Sequence, residues 1–257
     1  MIHSTAIIDP KARIADDVEI GPYCVIEGDV QIDSGCKLES HVVVYGPCVI
    51  GKGNRFYPFG CIGAAPQDKK FVEGDEAITI IGNNNTFREN VTVNRGTIQD
   101  IAKTVVGDNN WIMAGVHIAH DCIVGNNCIM ANNVALAGHV EIQDWAILGG
   151  YTLVHQFCRI GEHSFCGMGS VINQDVPDFV VVSGNIAEAK TVNLEGLKRR
   201  DFDSEQRRLV KRAYKIIYRS NLSIKDALAE LEAQNDKAGT LNHLIEFLST
   251  STRGITR

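Results

Sequence analysis

Long apolar runs are missing from this 257-residue sequence. No stretch approaches the ~18 consecutive apolar residues of a membrane-spanning helix, so the protein is not expected to be membrane-embedded. The first residues, MIHSTAIIDPKARIADD, carry neither the basic n-region nor the apolar h-region of a secretory signal. Proline is scarce at 6 residues, and aromatics make up only 7%. Cysteine, at 8 residues, is too dilute over this length to be a disulfide scaffold. These absences together point to a reducing, cytoplasmic compartment, in which the cysteines serve packing, metal binding or catalysis. What is present excludes intrinsic disorder: 44% of residues are hydrophobic, enough for a sizeable core. The length suits one large domain or a domain with an appendage.

The net charge of −6 is unevenly spread. Residues 1–189 carry a balance of −11, residues 190–219 one of +6 and residues 220–257 one of −1. A basic block on an acidic body points to an anionic partner at that block, although a charge run is also what a solvated helix face looks like.

The main signal is a period of six. An aliphatic or similar residue recurs at Ile8, Ile14, Ile20, Ile26, Ile32, Leu38, Val44, Ile50, Phe56 and Ile62 without a slip. The frame resumes at Ile81, Phe87 and Val93, and again from Val106 through Ile118, Leu136, Val154 and Ile160 to Ile172. Neither a helix of period 3.6 nor a strand of period 2 keeps a strict six for so long. Hexads belong to parallel β-helices, in which three make one triangular coil of about 18 residues. The residue at position i points into the prism, and the one at i+4 sits where space is tight. Cys24, Cys36, Cys48, Cys122, Cys128 and Cys158 all fall at i+4 and Cys166 at i, which makes them small packed hydrophobes and not nucleophiles. Gly21, Gly51, Gly82, Gly107, Gly125 and Gly161 stand at i+1, where the corners are expected to need turn conformations.

The chain therefore reads as mainly β. A left-handed parallel β-helix over residues 1–189 is broken by loops near 63–80 and 97–105, and a small α-helical C-terminal domain occupies residues 190–257. The left hand is taken from family resemblance, since crossovers are normally right-handed. In the C-terminal part Ser204 is expected to cap a helix through Arg219, Ser223 with Asp226 a second over 224–234, and Thr240 a third.

Four histidines of the third run group together. Ile118, Leu136 and Val154 are 18 apart, so they stack on one face of successive coils. His120 stands two positions beyond the first, His139 three beyond the second and His155 one beyond the third, all near one vertical line, with His117 just before them. Such a cluster suits either of two chemistries. Three imidazoles can hold Zn²⁺ with an open position, as in the β-helical carbonic anhydrases. A single histidine near neutral pKa, here followed by Asp121, can instead take a hydroxyl proton as that oxygen attacks an acyl carbon.

The motifs HIAHDC at 117–122, LAGHV at 136–140, GG at 149–150, VHQFC at 154–158, PQD at 66–68, NLEGLKRR at 193–200 and RGITR at 253–257 resemble the acyl-carrier-protein–UDP-N-acetylglucosamine O-acyltransferases of lipid A synthesis in Gram-negative bacteria. The likeness spans nearly the whole chain. It implies transfer of an (R)-3-hydroxyacyl group from acyl carrier protein to the glucosamine 3-hydroxyl, without metal, cofactor or covalent intermediate, by a homotrimer with pockets between neighbouring prisms. His120 would be the general base, Asp121 its support and the Gly138 N–H the oxyanion donor. His117, His139, His155 and Gln156 would line the UDP-sugar pocket. Asp68 and Lys70 would reach the sugar and the acyl hydroxyl, and Asn193, Glu195, Arg199 and Arg200 would hold the nucleotide. Met168, one coil beyond Gly150, would stop the acyl groove short and favour a donor of about ten carbons. Lys198, Arg207, Arg208, Lys211 and Arg212 would steer in the acidic carrier protein; no nucleic-acid partner is implied. Asn94, Lys69 and Phe71 depart from the usual family pattern.

Three rival readings differ in kind. A related N-acyltransferase carries an added N-terminal uridine-binding domain, for which hexads starting at Ile8 leave no room. A metal-dependent hydratase would hold stoichiometric zinc. A non-catalytic scaffold would have no use for stacked histidines.

Overall fold

The computed structural model describes residues 1–234 and 236–257. Among them the strands form three sheets that share one prism. Face one has nine strands, from Ile7–Ile8 to Val171–Ile172; face two has eight, from Arg13–Ile14 to Arg159–Ile160; face three has ten, from Glu19–Ile20 to Glu188–Val192. Each strand is hydrogen-bonded in parallel to the strand one coil away, as Ile118 to Leu136, Leu136 to Val154 and Val154 to Ile172 show. The exception is Glu188–Val192, which turns back antiparallel on Val180–Ser183 and runs across residue 189 into the C-terminal segment. This is a left-handed parallel β-helix.

The hexad residues from Ile20 onward fill the interior, with Phe56 and Phe87 stacked at 4.8 Å along the axis. Seven of the eight cysteines are buried there, and all eight are free. Burial pushes the Cys48, Cys122, Cys128 and Cys166 thiols up to about 12, so they are protonated and inert at neutral pH.

The corners differ from expectation in one respect. The left-handed residue is at i+3, and it is mostly not glycine: Asp121, His139 and Phe157 have φ of 57°, 63° and 63°. The glycines at i+1 lie outside that region and serve close approach instead. A Cβ on Gly107 would lie 2.7 Å from the Gly125 carbonyl oxygen of the next coil, and one on Gly125 would lie 2.3 Å from Asp144 Oδ1. The two loops are also shorter than the hexad frame suggests. Ile78–Ile81 and Lys103–Val106 are strands, leaving loops at 65–77 and 95–102. Ile62 pairs with Val93 and Val93 with Ile118, so the stack continues past both loops, with one register shift between Ile62 and Ala64 where the first loop leaves.

Beyond the prism lie α1 (Leu194–Arg199), α2 (Ser204–Arg219), α3 (Ile224–Glu232) and α4 (Asn242–Thr250). The cap of α2 is Asp203, not Ser204: its carboxylate accepts the Gln206 N–H while Gln206 Oε1 accepts the Asp203 N–H. Ser223 caps α3, but Asp226 accepts the Ser223 hydroxyl instead of closing a reciprocal box, and the helix stops at Glu232. Thr240 caps nothing; Leu241 precedes α4 without a side-chain cap.

An ion pair between a half-buried histidine and a buried carboxylate fastens α4 to the prism. His243 Nδ1–H donates to Asp178 Oδ2 at 2.6 Å, and Asp178 is fully buried. The Asp178 carboxylate holds His243 up at about 9. A folded-state value above the unfolded one means that the His243 contribution is fully present below about pH 6.5, while Asp178 stays ionised, and is lost as pH rises through about 9. The wild-type melting temperature should therefore fall between pH 6.5 and pH 9.5 more than that of His243→Gln; equal slopes in thermal unfolding would contradict this.

Candidate active site

The corner between faces one and two gathers His120, Asp121, Gly138, His139, Gln156 and Phe157 from three successive coils. The left-handed conformation of Asp121 turns its carboxylate inward to complete burial, where it meets four hydrogen-bonding contacts. The Thr97 N–H donates to both oxygens at 2.9 and 3.1 Å, the Thr97 hydroxyl donates to Oδ2 at 2.6 Å, and His120 Nδ1 lies 2.9 Å from Oδ2. A carboxylate only accepts, so the proton of neutral His120 sits on Nδ1 and Nε2 keeps its lone pair. Among the described residues Nε2 has no partner, and the ring is partly exposed, at 13%.

Gly138 lies directly against that ring. A Cβ there would come within 2.5 Å of His120 Cε1 and 2.7 Å of Nε2. Only glycine lets the backbone approach this closely. Among the described residues the Gly138 N–H donates to no acceptor, whereas the N–H of Ala137 bonds Val154 and that of His139 bonds His120. A nitrogen lone pair and an unpaired backbone donor thus lie on adjacent coils of one corner, an arrangement that can deprotonate a hydroxyl and receive an oxyanion.

The other histidines are placed differently. His139 stands edge-on to His120 at 5.0 Å, stacks on Phe157 at 4.3 Å and donates from Nδ1 to Asp100 at 2.5 Å. His117 shares a hydrogen bond with Thr92 Oγ1 at 2.7 Å; burial, with His120 adjoining, holds it below the ordinary imidazole range, so it is neutral near pH 7. His155 Nδ1 lies 3.1 Å from the Gln156 carbonyl and 3.4 Å from a guanidinium nitrogen of Arg253, and both His155 and Gln156 are exposed. Among the described residues of one chain, no three imidazoles bring nitrogens to a common point. Among the described residues the clusters of potential ligand atoms are His120–Asp121–His139 and Glu162–Asp178–His243, and neither gathers three histidines.

From this corner an apolar groove of about 590 Å³ runs over face one, lined by His117, Ala135, Ala137, Leu153, His155 and Ile186 among others. At the opposite edge of the same face, the corner between faces three and one, Met168 projects outward with 83% exposure instead of packing inward. It sits one coil above Gly150, whose carbonyl accepts the Gly169 N–H.

The remaining candidates do not meet the histidines within one chain. Asp68 accepts the Lys70 N–H in a turn of the 65–77 loop, and Lys70 is exposed. Asn193, Glu195, Arg199 and Arg200 lie on and around α1, against the corner between faces two and three. There the Asn193 side chain accepts the Gly196 N–H and donates to the His163 carbonyl. Arg200 donates to the Trp145 carbonyl at 3.0 Å and lies over the Trp145 ring. Lys198, Arg199, Lys211 and Arg212 are exposed, whereas Arg208 pairs with Glu205 and Arg207 donates to the Phe202 carbonyl.

Sequence reasoning missed Thr92, Thr97, Asp100 and Phe157. Thr92 and Phe157 were within its reach once coils are aligned in columns, because Thr92 pairs with His117 and Phe157 follows His139 by 18. Thr97 and Asp100 lie in a loop outside the frame and carry no such signal.

Comparisons with known proteins converge. Residues 175–256 match the family model for Udp N-acetylglucosamine O-acyltransferase, domain 2, and residues 103–138 match the bacterial transferase hexapeptide. The acyl-[acyl-carrier-protein]–UDP-N-acetylglucosamine O-acyltransferase of Herminiimonas arsenicoxydans is 53% identical and that of Stutzerimonas stutzeri 50% identical, each match covering 100% of this chain and 99% of the relative. Among solved structures, the UDP-N-acetylglucosamine acyltransferase of Francisella novicida aligns with a TM-score of 0.98 at 41% identity, over 100% of this chain and 94% of that one. LpxA from Acinetobacter baumannii aligns at 0.97 and 46%, over 100% and 99%.

Proposed function

The chain belongs to the acyl-[acyl-carrier-protein]–UDP-N-acetylglucosamine O-acyltransferase family, and from that premise we propose that it moves an (R)-3-hydroxyacyl group from acyl carrier protein to the 3-hydroxyl of UDP-N-acetylglucosamine, with His120 as general base. The observation that carries this reading is the lone pair of His120 Nε2 beside the unpaired Gly138 N–H.

Nε2 takes the proton of the sugar hydroxyl as its oxygen attacks the thioester carbon. Negative charge moves onto the carbonyl oxygen, where the Gly138 N–H receives it. Collapse breaks the carbon–sulfur bond, and the departing carrier thiolate recovers the proton from the imidazolium. Asp121 remains a carboxylate throughout and stabilises that imidazolium across Nδ1. The neutral His117, with His139, His155 and Gln156, borders the acceptor. The apolar groove on face one suits the acyl chain.

Asn193, Glu195, Arg199 and Arg200 flank a different corner from His120, so a complete site needs this corner of one chain set against that of a neighbour. A homotrimer with sites between prisms satisfies this, and its compartment on this reading is the cytoplasm. Among the described residues no helix is long and apolar enough to cross a membrane.

The test is acyl transfer to UDP-N-acetylglucosamine across carrier-bound donors of different length. Product with 3-hydroxyacyl donors is expected; no transfer from any donor refutes the reading. We assign Met168, exposed at the opposite edge of face one, as the end stop of the acyl chain, so the preferred donor should be about ten carbons long, and Met168→Gly should move the preference toward longer chains, each methylene being worth about 1–3 kcal/mol in a fitted pocket. Unchanged chain-length selectivity would sink the end-stop role. The basic face of α1 and α2 is assigned to the carrier protein. Neutralising Arg207, Arg208, Lys211 and Arg212 together should raise KM for the carrier-bound donor about tenfold, more at low salt, with KM for the UDP-sugar little changed. A donor KM that stays put removes that assignment.

A further inference from the structure

The 95–102 loop is built around Thr97. This residue is 2% exposed, and all three of its polar groups are engaged. Its N–H and hydroxyl both donate to Asp121, the hydroxyl to the same Oδ2 that accepts from His120 Nδ1. Its carbonyl accepts the N–H groups of Asp100 at 3.3 Å and Ala102 at 3.0 Å. That fold carries the Asp100 carboxylate to His139. Gly96 permits the closure, since a Cβ there would lie 2.1 Å from the Lys103 nitrogen. From below, Thr104 Oγ1 accepts the Asp121 N–H at 2.9 Å.

We infer that Thr97 is a positioning residue for acyl transfer: it holds the Asp121 carboxylate in the one orientation that keeps the His120 proton on Nδ1, and through its carbonyl it sets the loop from which Asp100 orients His139. The inference rests on the reading of His120 as the base. Without the Thr97 hydroxyl the carboxylate is held by the Thr97 N–H alone and can turn about that bond, and once the Nδ1 bond is lost the imidazole can carry its proton on Nε2, where it no longer accepts one. Misplacement of a catalytic group by about 1 Å can cost about 10²-fold in rate.

Thr97→Val removes the hydroxyl while keeping the backbone N–H and the side-chain volume. Its kcat should fall about 10- to 100-fold with KM for both substrates within about twofold. Thr97→Ser should restore most of the rate. In ¹⁵N-histidine-labelled protein the His120 resonances should show one tautomer in the wild type and a mixture in Thr97→Val. Unchanged kcat in Thr97→Val overturns the inference. So does a fall in kcat that accompanies a lowered melting temperature and a raised KM and is not rescued by serine, because that pattern marks a structural role only. Failure of the wild type to transfer any acyl group would instead refute the proposed function, and the tautomer measurement would still decide what Thr97 does to His120.

Discussion

His120→Ala should lower kcat by about 10²–10⁴-fold, the usual worth of a positioned general base, with KM for UDP-N-acetylglucosamine changed little. The substitution leaves Asp121 anchored by Thr97 and Thr104, so the corner is expected to stay folded. The Gly138 N–H and the groove also remain, which accounts for a residual rate above the uncatalysed one. Steady-state kinetics with a saturating donor, beside a thermal melt, checks the prediction. A variant within threefold of wild type would mean that another group takes the proton.

Gly138→Ala should be nearly as damaging, for a different reason. Glycine 138 does not have the positive φ of its neighbour His139, so alanine can adopt its backbone conformation. The obstacle is the His120 ring, 2.5 Å from where the Cβ would stand. The methyl group must push the imidazole aside or shift its own backbone, which moves the base or the oxyanion donor respectively. A loss of about 10²–10³ in kcat is expected. Gly→Ala also restricts the unfolded chain, which by itself stabilises by about 0.4–1 kcal/mol. The signature is thus a large kinetic loss with little loss of stability. Wild-type kcat in this variant would show that neither group is held where the reaction needs it.

The repeat made much of the architecture legible before any coordinates. A strict period of six names the inward residues one by one, and Ile118, Leu136 and Val154 do stack in register. The same frame explained the cysteines correctly, because a small apolar side chain at i+4 is a packing requirement local to the hexad. It explained the glycines less well. Gly107 and Gly125 mark corners, but what demands glycine there is the backbone or side chain of the coil above, a contact that sequence distance hides. Helix caps misplaced by one residue, as at Ser204, have a similar cause. Asp203 and Ser204 are both good caps, and the reciprocal bond with Gln206 selects between them.

Of the candidate site, His120, Asp121 and Gly138 could be named because they ride on the repeat and on family motifs. Their arrangement could not. The tautomer of His120 depends on Asp121 being buried and pinned by Thr97, which comes from a loop with no periodicity. The separation of the histidines from Asn193, Glu195 and Arg200 depends on which corner of a triangular prism each occupies. The sequence by itself determined the repeat and the inward side chains, since these follow from local spacing and residue chemistry, and its family motifs singled out His120 as the candidate base. Tertiary structure alone decided what fixes the His120 tautomer and which groups share a corner with it, because both rest on contacts between coils and loops whose separation along the chain says nothing of their distance in space.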